Sequence, residues 1–211
     1  MNIIQRARPF YWPSIVFMLF CMTPVIAQQA EPESVTHCEE YIMVDNEVDG
    51  SIPLPHFDAT LGRLVGAEIN VEMQTDHTLG VENTSQGGVN VRFNIICTGH
   101  ITAPLQSSAT TLETGISIDE MHLETYDGTF DFDGPSGEFY DELHGSGGLF
   151  ETNIASFTYT GSDLSFFPGT GTFDLPLDAE TSFDVIGGGG NAQVEITTDG
   201  VMNACVIYYY V

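Results

Sequence analysis

From Leu64 to Gln74 apolar and polar residues alternate, with Val65, Ala67, Ile69, Val71 and Met73 on one face and Gly66, Glu68, Asn70, Glu72 and Gln74 on the other. That is the period of a half-buried β-strand. The alternation returns at Val89, Val91, Phe93, Ile95 and Cys97, against Asn90, Arg92 and Asn94. Between the two runs lies a turn signal, Asn83-Thr84-Ser85-Gln86-Gly87-Gly88, and a short strand from Thr78 to Glu82 leading into it predicts a compact antiparallel meander. Further on, Phe173, Leu175, Leu177 and Ala179 alternate with Asp174, Pro176, Asp178 and Glu180. Proline has no N–H to give to a ladder, so Pro176 predicts an edge strand there. The Gly187–Gly190 run reads as a flexible hairpin connection. After it, Ala192, Val194 and Ile196 alternate with Gln193, Glu195 and Thr197 up to a predicted turn at Asp199-Gly200. The last segment, Cys205 to Val211, is apolar on both faces and so belongs in a central or doubly covered position.

No window of 11 or more residues carries a helical period; the nearest, Ser117 to Thr125, is short and lacks a stop signal. Many short strands separated by Gly, Thr, Ser and Asp predict an all-β fold, a single antiparallel β-sandwich domain in which each sheet covers the other's apolar face. No fixed-period repeat points to a solenoid or propeller.

The N-terminus changes the compartment rather than the fold. Arg6 and Arg8 precede an apolar run from Ile15 through Phe20, Cys21 and Met22 toward Val25, Ile26 and Ala27, the plan of a secretory signal peptide. Val25 and Ala27 place cleavage after Ala27. Pro13 and Pro24 shorten the run below the length of about 20 apolar residues that a spanning helix needs. The predicted organisation is a signal peptide over 1–27, an N-terminal extension over 28–37 and a β-sandwich domain over 38–211. No second apolar segment predicts a membrane span after cleavage.

All 30 acidic residues follow residue 27, together with only two strong bases, Arg63 and Arg92, and no lysine. Two bases cannot neutralise a row of phosphates, which argues against nucleic acid and against anionic membrane surfaces. An acidic surface of this kind favours cationic partners and metal ions, or keeps the chain hydrated where salt screens its self-repulsion. With 42% hydrophobic and 11% aromatic residues, the composition is that of a folded chain.

Cys38, Cys97 and Cys205 remain after cleavage. Their spacing does not fit a zinc knuckle, and in an oxidising compartment two of the three are expected to pair. All three pairings are open at this level.

Four segments together resemble the choice-of-anchor E domain family of exported and surface-attached bacterial and archaeal proteins. They are Leu54-Pro55-His56-Phe57-Asp58-Ala59-Thr60-Leu61-Gly62-Arg63-Leu64, Val81-Glu82-Asn83-Thr84-Ser85, Asp127 through Gly137 with its Asp-Gly and Gly-Pro-Ser-Gly pieces, and Phe167-Pro168-Gly169-Thr170-Gly171-Thr172. The resemblance implies an extracellular antiparallel β domain with no known activity and no catalytic residues. The family's members are sorted by differing C-terminal signals. This sequence ends at Tyr208-Tyr209-Tyr210-Val211 with no apolar helix, basic tail or sortase-type motif, so the expectation is release to the medium or periplasm, or attachment through a partner.

Candidate chemistry centres on the densest acidic stretch, Asp127, Asp131, Asp133, Glu138, Asp141 and Glu142, interleaved with glycines. Hard cations such as calcium take several oxygen ligands from a loop of this kind, so Asp127, Asp131, Asp133 and Glu138 are the metal candidates. The stretch is not an EF-hand, because a glycine at the sixth position puts Thr129 at the first. A solvated acidic loop is the alternative. His37, His56, His77, His100, His122 and His144 are scattered without ligand spacing and read as ordinary surface or strand residues. Gly134-Pro135-Ser136-Gly137 lacks the pattern and context of a nucleophile elbow. Asn83-Thr84-Ser85 fits both a glycosylation sequon and a turn. Tyr208, Tyr209 and Tyr210 fit core packing or sugar stacking. The expected function is a secreted or surface-associated, non-catalytic module with a structural, adhesive or ligand-binding role toward an extracellular protein or glycan. The alternatives are a carbohydrate-active enzyme using two carboxylates and a calcium-dependent binding module.

Overall fold

The computed structural model describes residues 31–44, 47–141, 143 and 153–211. The signal peptide over 1–27, and the candidates Glu142 and His144, lie outside the described residues. Nine strands form two sheets: β1 (Glu33–Met43), β2 (Glu47–Pro55), β3 (Leu64–Asn83), β4 (Val89–Ile101), β5 (Thr110–Leu123), β6 (Gly137–Tyr140), β7 (Asn153–Tyr159), β8 (Thr172–Gly187) and β9 (Ala192–Tyr210). In the first sheet the order is β1-β9-β3, with β6 and β7 sharing the far edge of β3; in the second it is β2-β8-β4-β5. All these ladders are antiparallel, and the two sheets pack face to face as the expected β-sandwich. Two short 3-10 turns, Gly161–Phe166 and Gly188–Gly190, are the helical segments among the described residues, and no helix there is long and apolar enough to cross a membrane.

β3 and β9 are continuous over 20 and 19 residues and pair along almost their whole lengths. The expected short strand at Thr78–Glu82 is therefore the second half of β3. The expected meander is also replaced: β3 and β4 lie in different sheets, and the Asn83–Gly88 turn carries the chain across the sandwich. Gly187–Gly190 does the same between β8 and β9, so it is an inter-sheet crossing and not a hairpin. No turn forms at Asp199-Gly200. Gly200 sits inside β9 because a Cβ there would lie 2.6 Å from the Gln74 carbonyl oxygen and 2.6 Å from Met43 Cε; here glycine marks close approach, not a turn.

Pro176 likewise misleads as an edge signal, since β8 is central, between β2 and β4. The N–H and C=O of one residue point to the same side of a strand. The Pro176 carbonyl accepts the N–H of Thr102 (3.1 Å), just past the end of β4, so the missing N–H faces the side where the ladder has already run out. The last segment is central as expected, flanked by β1 and β3. β1 begins at Glu33, so residues 33–37 of the presumed extension are already strand.

The core is divided in two. One apolar cluster gathers Ile52, Leu54, Phe57, Ile69, Val71, Met73, Leu112, Phe167, Leu175, Val206 and Tyr208; the other gathers Leu79, Val81, Val91, Phe93, Met121 and Leu123. On the inward face between them stand Thr75, His77, Thr114 and Thr198, all buried. The Thr75 hydroxyl meets Thr114 Oγ1 across the sandwich (2.8 Å) and His77 Nε2 (3.2 Å), while His77 Nδ1 meets Thr198 Oγ1 (2.9 Å). His77 is thus a strand residue, as one half of the expectation has it, but it stands on the buried inward face and not at the surface. Burying four polar side chains is tolerated because they bond to one another.

Burial pushes the His77 imidazole below its ordinary pKa, outweighing the nearby Asp76 charge that raises it. The unfolded chain thus takes up this proton at a higher pH than the folded one. The stabilisation is complete above about pH 6.5, and it falls away as pH drops below that value toward the lowered folded pKa. Urea unfolding between pH 8 and 5.5 is expected to show this loss in the native protein and a flatter profile in His77→Gln. The range stays above the zone near pH 4 where ordinary carboxylates titrate.

Candidate functional site

The acidic loop lies where the second half of β3 meets the β3–β4 turn. Asn83 organises it. Its own N–H donates to Ser136 O (2.8 Å) and its side-chain amide donates to Gly87 O (2.8 Å) and Glu124 O (2.6 Å), while its Oδ1 accepts the Ser85 N–H (2.9 Å). Asn83 is 0% exposed. An amide nitrogen committed to two carbonyls inside the fold is no glycan acceptor, so Asn83-Thr84-Ser85 serves as a turn. Ser136, also buried, accepts the Asp127 N–H on its hydroxyl (3.3 Å). Gly134-Pro135-Ser136-Gly137 is accordingly a structural clasp.

Within the loop each candidate aspartate caps its own chain. Asp127 Oδ1 accepts Thr129 N–H (2.8 Å), Asp131 Oδ1 accepts Asp133 N–H (3.2 Å), and Asp133 Oδ1 accepts Gly134 N–H (2.7 Å). These are the local turns that aspartate favours. Glu138 stands apart on β6, exposed and opposite Val81. The four candidates therefore share one region, but among the described residues no three His, Cys, Asp or Glu side chains converge as a ready-made metal cage.

The loop folds over the outer face of the first sheet. The Phe132 ring covers Gly80 so closely that a Cβ there would stand 3.0 Å from it. Phe130 meets Phe132 edge-on at 4.9 Å, and Phe130 and Phe139 remain exposed beside it. Beneath lies a residue that sequence reasoning missed, Glu82. Its alternation points it outward, yet the loop buries it completely, and its Oε2 accepts the Phe132 N–H (3.0 Å). Gly80, two residues earlier on the same face, is the sequence sign that something approaches that face closely.

At the opposite end of β3, two of the resembling segments meet. Phe57 donates its N–H to Phe167 O (2.9 Å) and accepts that of Gly169 (3.2 Å), and its ring packs on Tyr208 at 5.4 Å. Tyr208 is buried, with its hydroxyl donating to Pro55 O (2.8 Å). Its phenol is therefore core, and burial raises its pKa far above the ordinary value. Tyr209 and Tyr210 are half-buried and reach Glu68 and Glu33.

The cysteines resolve to one bridge, Cys38–Cys205, which links β1 to β9 at directly opposed positions. Cys97 is a buried free thiol whose pKa burial pushes up, leaving it a packing residue at neutral pH.

Two of the shallow depressions among the described residues lie on the outer sheet faces. One is lined by Asn94, Ile96, Glu113, Gly115 and Ser117 and contains a single carboxylate. The other, beside Ile42 and Val44, contains Asp76 and Asp199, which stand directly opposite each other in the β3–β9 ladder.

No family model and no curated protein matches the chain. Among solved structures it is similar to chains of infectious bursal disease virus. The match to the Gx strain has 10% identity and a TM-score of 0.18 over 85% of this chain and 42% of the viral one. The match to the Gt strain has 10% identity and a TM-score of 0.17 over 89% and 43%. The chain thus spans about two fifths of those viral chains, and likeness at such scores bears on neither fold nor function.

Proposed function

We propose that this chain is an exported, non-catalytic β-sandwich module of the choice-of-anchor E type, with a structural, adhesive or ligand-binding role toward an extracellular protein or glycan. The observation that carries this reading is the way the four resembling segments pair. Residues 54–64 join 167–172 through Phe57, Phe167 and Gly169 at one end of β3. Residues 81–85 join 127–137 through Asn83 and Ser136 at the other. Segments far apart in sequence thus have a common structural purpose as end clasps. The Cys38–Cys205 bridge supports an oxidising compartment, and 30 carboxylates against four strong bases in the whole chain favour a cationic partner surface.

Expression of the full chain in a bacterial host tests the reading. The expected product is found outside the cytoplasm, begins at Gln28 by mass spectrometry, is oxidised, and turns over no member of a polysaccharide and ester substrate panel. Retention in the cytoplasm as a reduced, uncleaved chain would defeat the export half; turnover would defeat the non-catalytic half. The second reading, a glycoside hydrolase, draws on Asp76 and Asp199, whose opposed positions bring two carboxylates to one open depression. Hydrolysis abolished in both Asp76→Asn and Asp199→Asn would establish it in place of the first.

A further inference from the structure

Glu82 is 0% exposed, and its Oε1 has no hydrogen-bond partner. Its other oxygen takes the Phe132 N–H from inside the acidic loop, and a Cβ on Gly137 would stand 2.5 Å from that oxygen. The carboxylate is thus aimed into the loop and walled in by it. Among the described residues no basic side chain is paired with it: Arg92 is engaged by Glu120 and His122 by Glu124, and Arg63 precedes the far end of β3. A buried carboxylate with one oxygen idle is a costly arrangement unless a proton or a positive charge completes it. The residues on either side of Phe132 are Asp131 and Asp133. Each commits one oxygen to a loop amide, which leaves its second oxygen available as the kind of ligand that hard cations select.

We propose that Glu82, with Asp131 and Asp133, binds a divalent hard cation of the calcium type, which pins the acidic loop to the outer face of the first sheet. Asp131 and Asp133 are exposed and turn toward Glu82 to complete the site; water fills the remaining positions. Three protein carboxylates with water place the affinity in the weak range of extracellular calcium modules, on the order of 0.1–1 mM. Glu82 was absent from the candidates that sequence reasoning supplied, and Asp127 and Glu138 are not required.

The test is the melting temperature of the purified chain in about 10 mM calcium chloride, in chelator, and in sodium chloride of equal ionic strength. A rise of about 5 °C specific to calcium is expected, and it is expected to vanish in Glu82→Gln. If Glu82→Gln fails to fold, the double variant Asp131→Asn with Asp133→Asn, confined to exposed side chains, takes its place and is expected to lose the rise. The proposal is overturned by no calcium-specific rise in the native chain, by an equal rise in sodium chloride, or by a rise that survives in whichever variant folds.

Discussion

Phe57→Ala is expected to destabilise the fold by about 3–5 kcal/mol, the cost of emptying a fully enclosed aromatic site that cannot collapse. Phe57 is 1% exposed, and its ring contacts Tyr208 and Tyr210 at 5.4 and 5.7 Å. Behind it, Phe167 packs on Tyr159 at 4.9 Å and on Tyr208 at 5.8 Å, and Phe173 packs on Phe166 at 5.3 Å. The ring is therefore seated against two tyrosines of β9 within the larger apolar cluster, and its removal leaves a void lined by stiff aromatic walls. The main-chain bonds of Phe57 to Phe167 and Gly169 survive the substitution, so the effect isolates the ring. For a domain of this size the melting temperature falls by about 10 °C. Phe139→Ala is the control: Phe139 is 55% exposed, and a surface truncation of this kind costs less than about 1 kcal/mol. Urea midpoints that drop equally for the two variants would show that the end clasp is not a rigid part of the core. An unchanged denaturant slope in Phe57→Ala would confirm that the change lies in stability and not in the extent of the folded state.

The fold class was legible in the chain because period-two alternation survives wherever a strand faces an apolar core. Along β3 and β9 it failed for one reason. The inward positions of β3 run Met73, Thr75, His77, Leu79, and those of β9 opposite them run Met202, Gly200, Thr198, Ile196. Two polar residues in succession look like the end of one strand and the start of another, and a glycine next to an aspartate looks like a turn. Both misreadings describe the same polar seam seen from its two strands. A buried hydrogen-bonded network is invisible to a pattern that equates polar with outward. Sheet membership was hidden for a different reason: among the described strands only β4 and β5 are consecutive and paired, so turn chemistry such as Gly187–Gly190 announces a reversal without saying in which sheet the chain resumes. At the candidate site the same logic held back Glu82. Its outward position was readable, but the loop that buries it starts more than forty residues later.

Removing the bridge with Cys38→Ser and Cys205→Ser is expected to destabilise the chain by about 2–4 kcal/mol, and to do so unevenly. The bond spans 167 residues of sequence, a separation for which chain-entropy reasoning gives about 5 kcal/mol before native-state adjustments reduce it. What the bond holds is a strand with little else to hold it. β1 exposes eight of its eleven side chains and buries only Met43 fully, and its ladder is to β9 alone. Without the bond β1 frays while the β3–β9 ladder, enclosed by both apolar clusters, stays intact. Amide hydrogen exchange therefore separates the two: rapid exchange is expected across residues 33–43 in the double variant, with protection retained in β3 and in the ladder between β3 and β9. Uniform loss of protection would mean that β1 is integral to one cooperative unit, and unchanged protection would mean that backbone pairing suffices. Cys97→Ala, which alters the third cysteine without touching the bridge, is expected to leave β1 protected. Departure of β1 also bares a long row of unpaired donors and acceptors on β9, the kind of edge that recruits strands from other molecules. The double variant is accordingly expected to associate at concentrations where the oxidised protein stays dispersed, despite a charge of −26, because the carboxylates Glu33, Glu39 and Glu40 that guard that edge leave with β1.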